Sequence, residues 1–134
     1  MVSENYNKLI KKKWKYHGEE KPDEEVSGHT RYLFNNGKSD DVCFLSFYYS
    51  NNYIVDQIEL QFVNTEKFEK YKKQIKTLGF KKINSINEHN QLVDIFKKNK
   101  IIVKLITANE IKESKPEYFY VINILDYEDY LNEK

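Results

Sequence analysis

The stretch from Tyr53 to Ile86 constrains this chain most, because each of its boundaries carries its own signal. Ile58, Leu60 and Phe62 alternate with Gln57, Glu59 and Gln61, the two-residue period of a half-buried strand. Asn64 and Thr65 supply side-chain oxygens for the free N–H groups at a helix start. Phe68, Tyr71, Ile75 and Leu78 follow at helical spacing, so they share one face that some other element must cover. Gly79 stands where a helix needs a left-handed residue to stop, and Phe80 stands where it can pack back onto Ile75. Strand, helix over Thr65–Leu78, and strand therefore succeed one another. The unit fixes a scaffold and carries no chemistry.

The rest of the chain arranges itself around this unit. Tyr6, Leu9, Ile10 and Trp14 form an apolar stripe behind Ser3, with Lys8, Lys11, Lys12, Lys13 and Lys15 on the other sides. That pattern predicts a basic amphipathic helix over residues 1–16. It either packs on the sheet or meets a membrane surface or acidic partner. Residues 17–29 read as an acidic loop, with Gly18, Pro22 and Gly28 as punctuation. Short strands are expected over Thr30–Phe34 and Val42–Tyr49. The second of these is apolar or aromatic on both faces, which places it inside a sheet. Ser50-Asn51-Asn52 suits the hairpin turn into the next strand. Beyond Gly79, strands are expected over Phe80–Ile86, Leu92–Lys97, Lys100–Thr107 and Tyr118–Leu125, with 108–117 as a polar connection. Asp126 is placed to cap a last short helix. The fold class is α+β: one domain, a mostly antiparallel sheet of six or seven strands, the main helix on one face and short helices at both termini. Residues 30–134 form its sheet-and-helix core, and a weak halving of the chain falls at Gly79.

Composition enters where it excludes functions. The chain has 134 residues, a length that supports one core without metal or disulfide staples. Its 22 basic and 21 acidic residues nearly cancel, leaving +1. That argues against nucleic acid as the partner, as does the presence of one arginine, Arg31, among all those lysines. No apolar run approaches the ~20 residues of a membrane span, and the N-terminus lacks the apolar run of a leader. A cytoplasmic location is the default expectation, and a lone cysteine agrees with a reducing compartment. Abundant Asn, Ile, Tyr and Lys beside a single alanine point to an AT-rich bacterial or phage genome.

No catalytic pattern emerges. His17, His29 and His89 lie apart in predicted loops, with no metal-ligand spacing, so no metal or cofactor is expected. Cys43 sits within a strand, where a buried structural thiol is expected rather than a nucleophile. The four glycines form no phosphate-cradling loop. Asp40-Asp41 and Asp23-Glu24-Glu25 read as solvated acids rather than as a catalytic pair. The eleven tyrosines are the one enrichment. Tyr48, Tyr49 and Tyr53 flank the Asn51-Asn52 turn, and tyrosine with asparagine suits recognition surfaces.

The expected function is therefore non-catalytic: a small protein that binds and blocks another protein, a toxin or enzyme for instance. Contact is expected through Tyr48, Tyr49, Asn51, Asn52 and Tyr53 with Asp40 and Asp41. In size, lysine- and asparagine-rich composition and lack of catalytic motif the chain is similar to small bacterial immunity and inhibitor proteins. The alternative is a small-ligand protein with a pocket between helix and sheet. A concave apolar pocket with one or two polar groups favours the alternative. A flat surface of tyrosines and acids favours the first reading.

Overall fold

A computed structural model of the chain describes residues 11–12, 14–21, 28–34, 42–49 and 55–133, with positions 55, 111, 112, 115 and 116 described by their backbone alone. Eight strands make one open antiparallel sheet: β1 (Lys15–Glu20), β2 (Gly28–Phe34), β3 (Cys43–Tyr49), β4 (Val55–Phe62), β5 (Lys81–Glu88), β6 (Gln91–Lys98), β7 (Ile101–Lys112) and β8 (Lys115–Asp126). Helix α1 (Thr65–Thr77) joins β4 to β5, and α2 (Tyr127–Asn132) follows β8. The strand order is β1-β2-β3-β4-β8-β7-β6-β5. Each half is thus a four-stranded meander ending in a helix, and the halves join through their last strands. The halving expected at Gly79 is real at the level of topology. Neither described helix is long and apolar enough to cross a membrane.

Alternation along the strands divides the sheet into two faces. On the first, Cys43, Phe62, Val103, Leu105, Tyr120 and Ile122 pack with Phe68 and Ile75 of α1. Phe68 stacks on Tyr120 with ring centroids 4.3 Å apart, and Phe62 lies within 6.3 Å of Phe68. Burying such a ring stabilises by roughly 1.5–3 kcal/mol, so these three rings anchor the N-terminal half of α1. Asn64 caps it: its Oδ1 accepts from the Lys67 N–H at 2.9 Å. At the other end Gly79 has φ +97°. The Phe80 N–H donates to the Ile75 carbonyl at 3.3 Å, and the Gly79 N–H donates to the Lys76 carbonyl at 3.1 Å. This is the paired closure that satisfies the last carbonyls of a helix, and Phe80 packs against the same core as Ile75.

Helix α2 takes the opposite face. Tyr130 is buried against Ile95, Ile102 and Leu125, and Ile102 precedes Val103 on β7, so the two side chains point to opposite sides.

Four expectations are corrected. Residues 15–20 form β1, so a helix over 1–16 and a loop over 17–29 do not hold there; residues 1–10, 13 and 22–27 lie outside the described ones. Ring contacts of Trp14 with Phe34 at 5.3 Å and of Tyr16 with Tyr32 at 5.9 Å tie this segment to β2. Gly18 marks a bulge in that pairing and not a loop. The sheet has eight strands, not six or seven. The span 108–117 continues β7 and β8 to a tight turn at Glu113-Ser114, both at positive φ. Finally, Asp126 occupies the N-cap of α2 but makes no side-chain capping bond.

Candidate functional site

One thirteen-residue helix spans about 20 Å, whereas eight strands at about 4.8 Å spacing spread across nearly twice that. Helix α1 therefore leaves part of the first face open. What remains is an apolar groove of about 430 Å³. Its floor is Leu45 of β3, Ile58 and Leu60 of β4, Ile122 and Ile124 of β8, and Ile101 and Val103 of β7. Tyr71, Gln74, Ile75 and Leu78 of the helix region form one wall, with Phe80 beside them. The register lines these floor residues up: Leu45 lies across from Leu60, Leu60 from Ile122 and Ile58 from Ile124.

Leu78 is 60% exposed, Ile101 44% and Ile124 37%, which is unusual for adjoining large aliphatic side chains around one concavity. The groove has two polar side chains, Tyr71 and Gln74. Burial pushes the Tyr71 phenol upward, with the Cys43 thiol adding to the effect, so it stays neutral and serves as a hydrogen-bonding group. At the helix end Lys98 Nζ donates to the Leu78 carbonyl. This is a favourable site for a cation, because the helix dipole is negative there.

A larger cavity of about 510 Å³ lies on the opposite face beside α2. Glu88, His89, Gln91 and Asn84 make its wall polar, and an ion pair between Lys104 and Glu133 sits in it. Its size exceeds that of the groove, but apolar enclosure with a few placed polar groups is the better mark of a ligand site. The groove under α1 has that character.

Of the seven residues expected at the partner surface, the structure describes two. Tyr48 and Tyr49 are neighbours on β3 and turn to opposite faces. Tyr49 is fully buried, and its hydroxyl donates to Glu19 Oε1 at 2.8 Å. Tyr48 lies half-buried on the second face, 5.6 Å from the His29 ring. Burial raises its phenol pKa, Glu59 raises it further, and Arg31 opposes both. Asp40, Asp41, Asn51, Asn52 and Tyr53 lie outside the described residues. A polar patch surrounds Tyr48 on the second face, and no motif or spacing announced it. There Arg31 Nε donates to Ser46 Oγ at 3.0 Å, with its guanidinium 5.5 Å from the centre of the Phe44 ring. Glu59 is pushed up by burial, against the pull of Arg31 and His29. No described helix covers this half of the face.

Cys43 is buried, and burial lifts its thiol to about 11, against a smaller opposing effect of Lys67. Its environment is that of a structural thiol. Among the described residues no group of three or more His, Cys, Asp or Glu side chains is placed to hold a metal. Comparison of the chain with protein-family models, with characterised proteins and with solved structures yields no match.

Proposed function

We propose that this is a non-catalytic binding protein whose groove beneath α1 receives the apolar body of a small ligand. The observation that carries the reading is the groove itself: about 430 Å³ of almost wholly apolar space with Tyr71 and Gln74 on one wall. That volume falls within the ~300–1,000 Å³ of small-molecule sites. Exposed aliphatic residues at its mouth expend stability that a purely structural surface would recover with polar side chains. Tyr71 and Gln74 offer hydrogen bonds to orient a ligand and no acid–base pair to transform it.

Fluorescence titration with N-phenyl-1-naphthylamine tests the reading, since this neutral apolar probe brightens in a dry site. The parent should bind it. Ile124→Trp, which fills the floor at the mouth, should weaken binding at least tenfold while leaving the far-ultraviolet dichroism unchanged. Equal binding by parent and variant refutes the assignment.

A second reading, a protein that blocks a partner, is supported by the uncovered second face around Tyr48, Phe44 and Arg31. Aromatic and arginine side chains of that kind anchor interfaces. Pull-down from the native host followed by Tyr48→Ala tests it: the captured partner should be lost with Tyr48→Ala and retained with Ile124→Trp.

A further inference from the structure

Three side chains of the groove floor, Ile58, Ile101 and Ile124, also line a smaller cavity of about 200 Å³ at the edge of the sheet. The two spaces therefore adjoin across this shared wall. The charged residues lining the smaller one are both acids, Asp56 and Asp126, whereas the groove is lined by no charged side chain. The acids lie just past the end of the β4–β8 ladder, whose last pair is Gln57 with Leu125. There β4 bulges, since Gln57 lies across from Tyr48 and Val55 from Tyr49 with Asp56 between them, and Asp56 and Asp126 line the same cavity.

Like charges sharing one cavity repel, and this pair has no visible structural compensation. Asp126 holds the N-cap of α2, where a carboxylate ordinarily binds a backbone N–H, yet it makes no such bond. Among the described residues neither aspartate, nor Asp129 one turn on, enters an ion pair. Burial raises the Asp56 pKa first, and Asp129 and Asp126 add to the rise. Its own N–H and that of Gln57 work the other way, and no cation contributes. Lys100, whose carbonyl accepts from the Tyr127 N–H beside Asp126, is exposed and forms no ion pair with these acids. Lys98 is at the helix end, where the Leu78 carbonyl holds it. The acids are not a metal set either, since no cluster of three ligands forms among the described residues.

An apolar trough that ends in two uncompensated carboxylates is complementary to a molecule with an apolar body and a cationic end. We propose that the ligand of the groove is a cationic amphiphile, of the class of a primary alkylammonium or a larger protonated amine. Its apolar portion lies beneath α1 and its ammonium lies between Asp56 and Asp126. The inference rests on the groove reading above and adds the sign of the ligand's charge.

The test compares octylammonium, octan-1-ol and octanoate at pH 7 and low ionic strength. Binding is followed through the δ1-methyl signals of Ile58, Ile101 and Ile124. Octylammonium should bind roughly three- to tenfold more tightly than octanol, as expected for one partly solvated ion pair or two, and octanoate should bind more weakly than octanol. The double variant Asp56→Asn/Asp126→Asn keeps the shape of both side chains and one acceptor oxygen on each and relieves their repulsion, so it should fold as the parent does. It should bind octanol unchanged and lose the preference for the ammonium. Equal binding of octylammonium and octanol by the parent, tightest binding of octanoate, or a preference that survives the double variant each overturns the charge assignment and leaves the groove standing. If none of the three ligands moves the methyl signals, the groove reading falls and the inference falls with it.

Discussion

Replacing Gly79 with alanine isolates the backbone term at the end of α1. A Cβ built at this position would meet Lys98 Cε and Nζ at 3.7 Å, an ordinary van der Waals separation, so no clash adds to the result. What remains is a φ of +97° imposed on an L-residue, which costs about 1–2 kcal/mol. The residue cannot relax cheaply, because the Gly79 and Phe80 N–H groups are both committed to helix carbonyls. With a urea dependence of about 2 kcal/mol per molar for a domain of this size, the midpoint should fall by roughly 0.5–1 M at unchanged slope. Gly79→Asn should lose less, because asparagine tolerates positive φ. Gly18→Ala is the control: it has nothing within 4 Å of a built Cβ and no positive φ. Its effect should be near zero or slightly stabilising. Urea unfolding of the four proteins, followed by far-ultraviolet dichroism, decides the matter. If Gly79→Ala unfolds no earlier than Gly18→Ala, the left-handed stop is not what terminates α1.

Asn64→Ala should cost about 0.5–2 kcal/mol in the same assay, through loss of the cap on the Lys67 N–H. Cys43 should react slowly with a disulfide reagent in the native protein and quickly in urea. Its folded pKa of about 11 exceeds the unfolded value near 9, so stability should decline as pH rises between the two; fast native labelling at pH 7 would contradict this. For Glu59, burial raises the folded pKa above the ordinary carboxylate value, so its contribution is lost as pH rises through that raised pKa. Glu59→Gln should therefore raise the thermal midpoint at pH 7 and leave it unchanged near pH 4, and equal shifts at both values would refute the assignment.

The parts of the fold that burial organises were legible in the sequence. Ile58, Leu60 and Phe62 alternate because α1 covers one face of β4, and Tyr120, Ile122 and Ile124 alternate for the same reason on β8. Parts that burial does not organise were not legible. In β1 only Gly18 is even partly covered, since this edge strand is held by ladder bonds to β2, and backbone pairing leaves no hydropathy period. The arm formed by β7 and β8 beyond Thr107 and Tyr120 extends past the end of β4, and its polar residues, with Pro116, resemble a loop. The groove belongs to a third kind. Each floor residue was readable as an apolar strand position. That Ile58, Ile101 and Ile124 meet, however, depends on β4 pairing with β8 and β8 with β7, across gaps of more than twenty residues. Tyr48 and Tyr49 show the opposite error, in which adjacency in sequence suggested one patch and strand alternation separated it.

Why the groove exists follows from how the two halves join. A two-fold axis normal to the sheet, passing between the antiparallel β4 and β8, would place the helices of both halves on the same face. They lie on opposite faces instead: Val103 packs beneath α1 while Ile102 packs beneath α2. The halves therefore repeat in strand order and not in where the helix goes. Two helices on one face would cover it more fully and leave the other bare. One helix on each face half-covers both, and composition then decides what each uncovered half becomes. On the second face it carries Arg31, Ser46, Tyr48, Glu59 and Asn123, which tolerate water. On the first it carries Leu45, Ile58, Ile101 and Ile124, which do not. Nothing in the strand pairing requires isoleucine rather than threonine at the exposed positions 101 and 124, because threonine fits a strand equally well. Retaining apolar side chains there is thus better explained by something that binds to them than by the needs of the sheet.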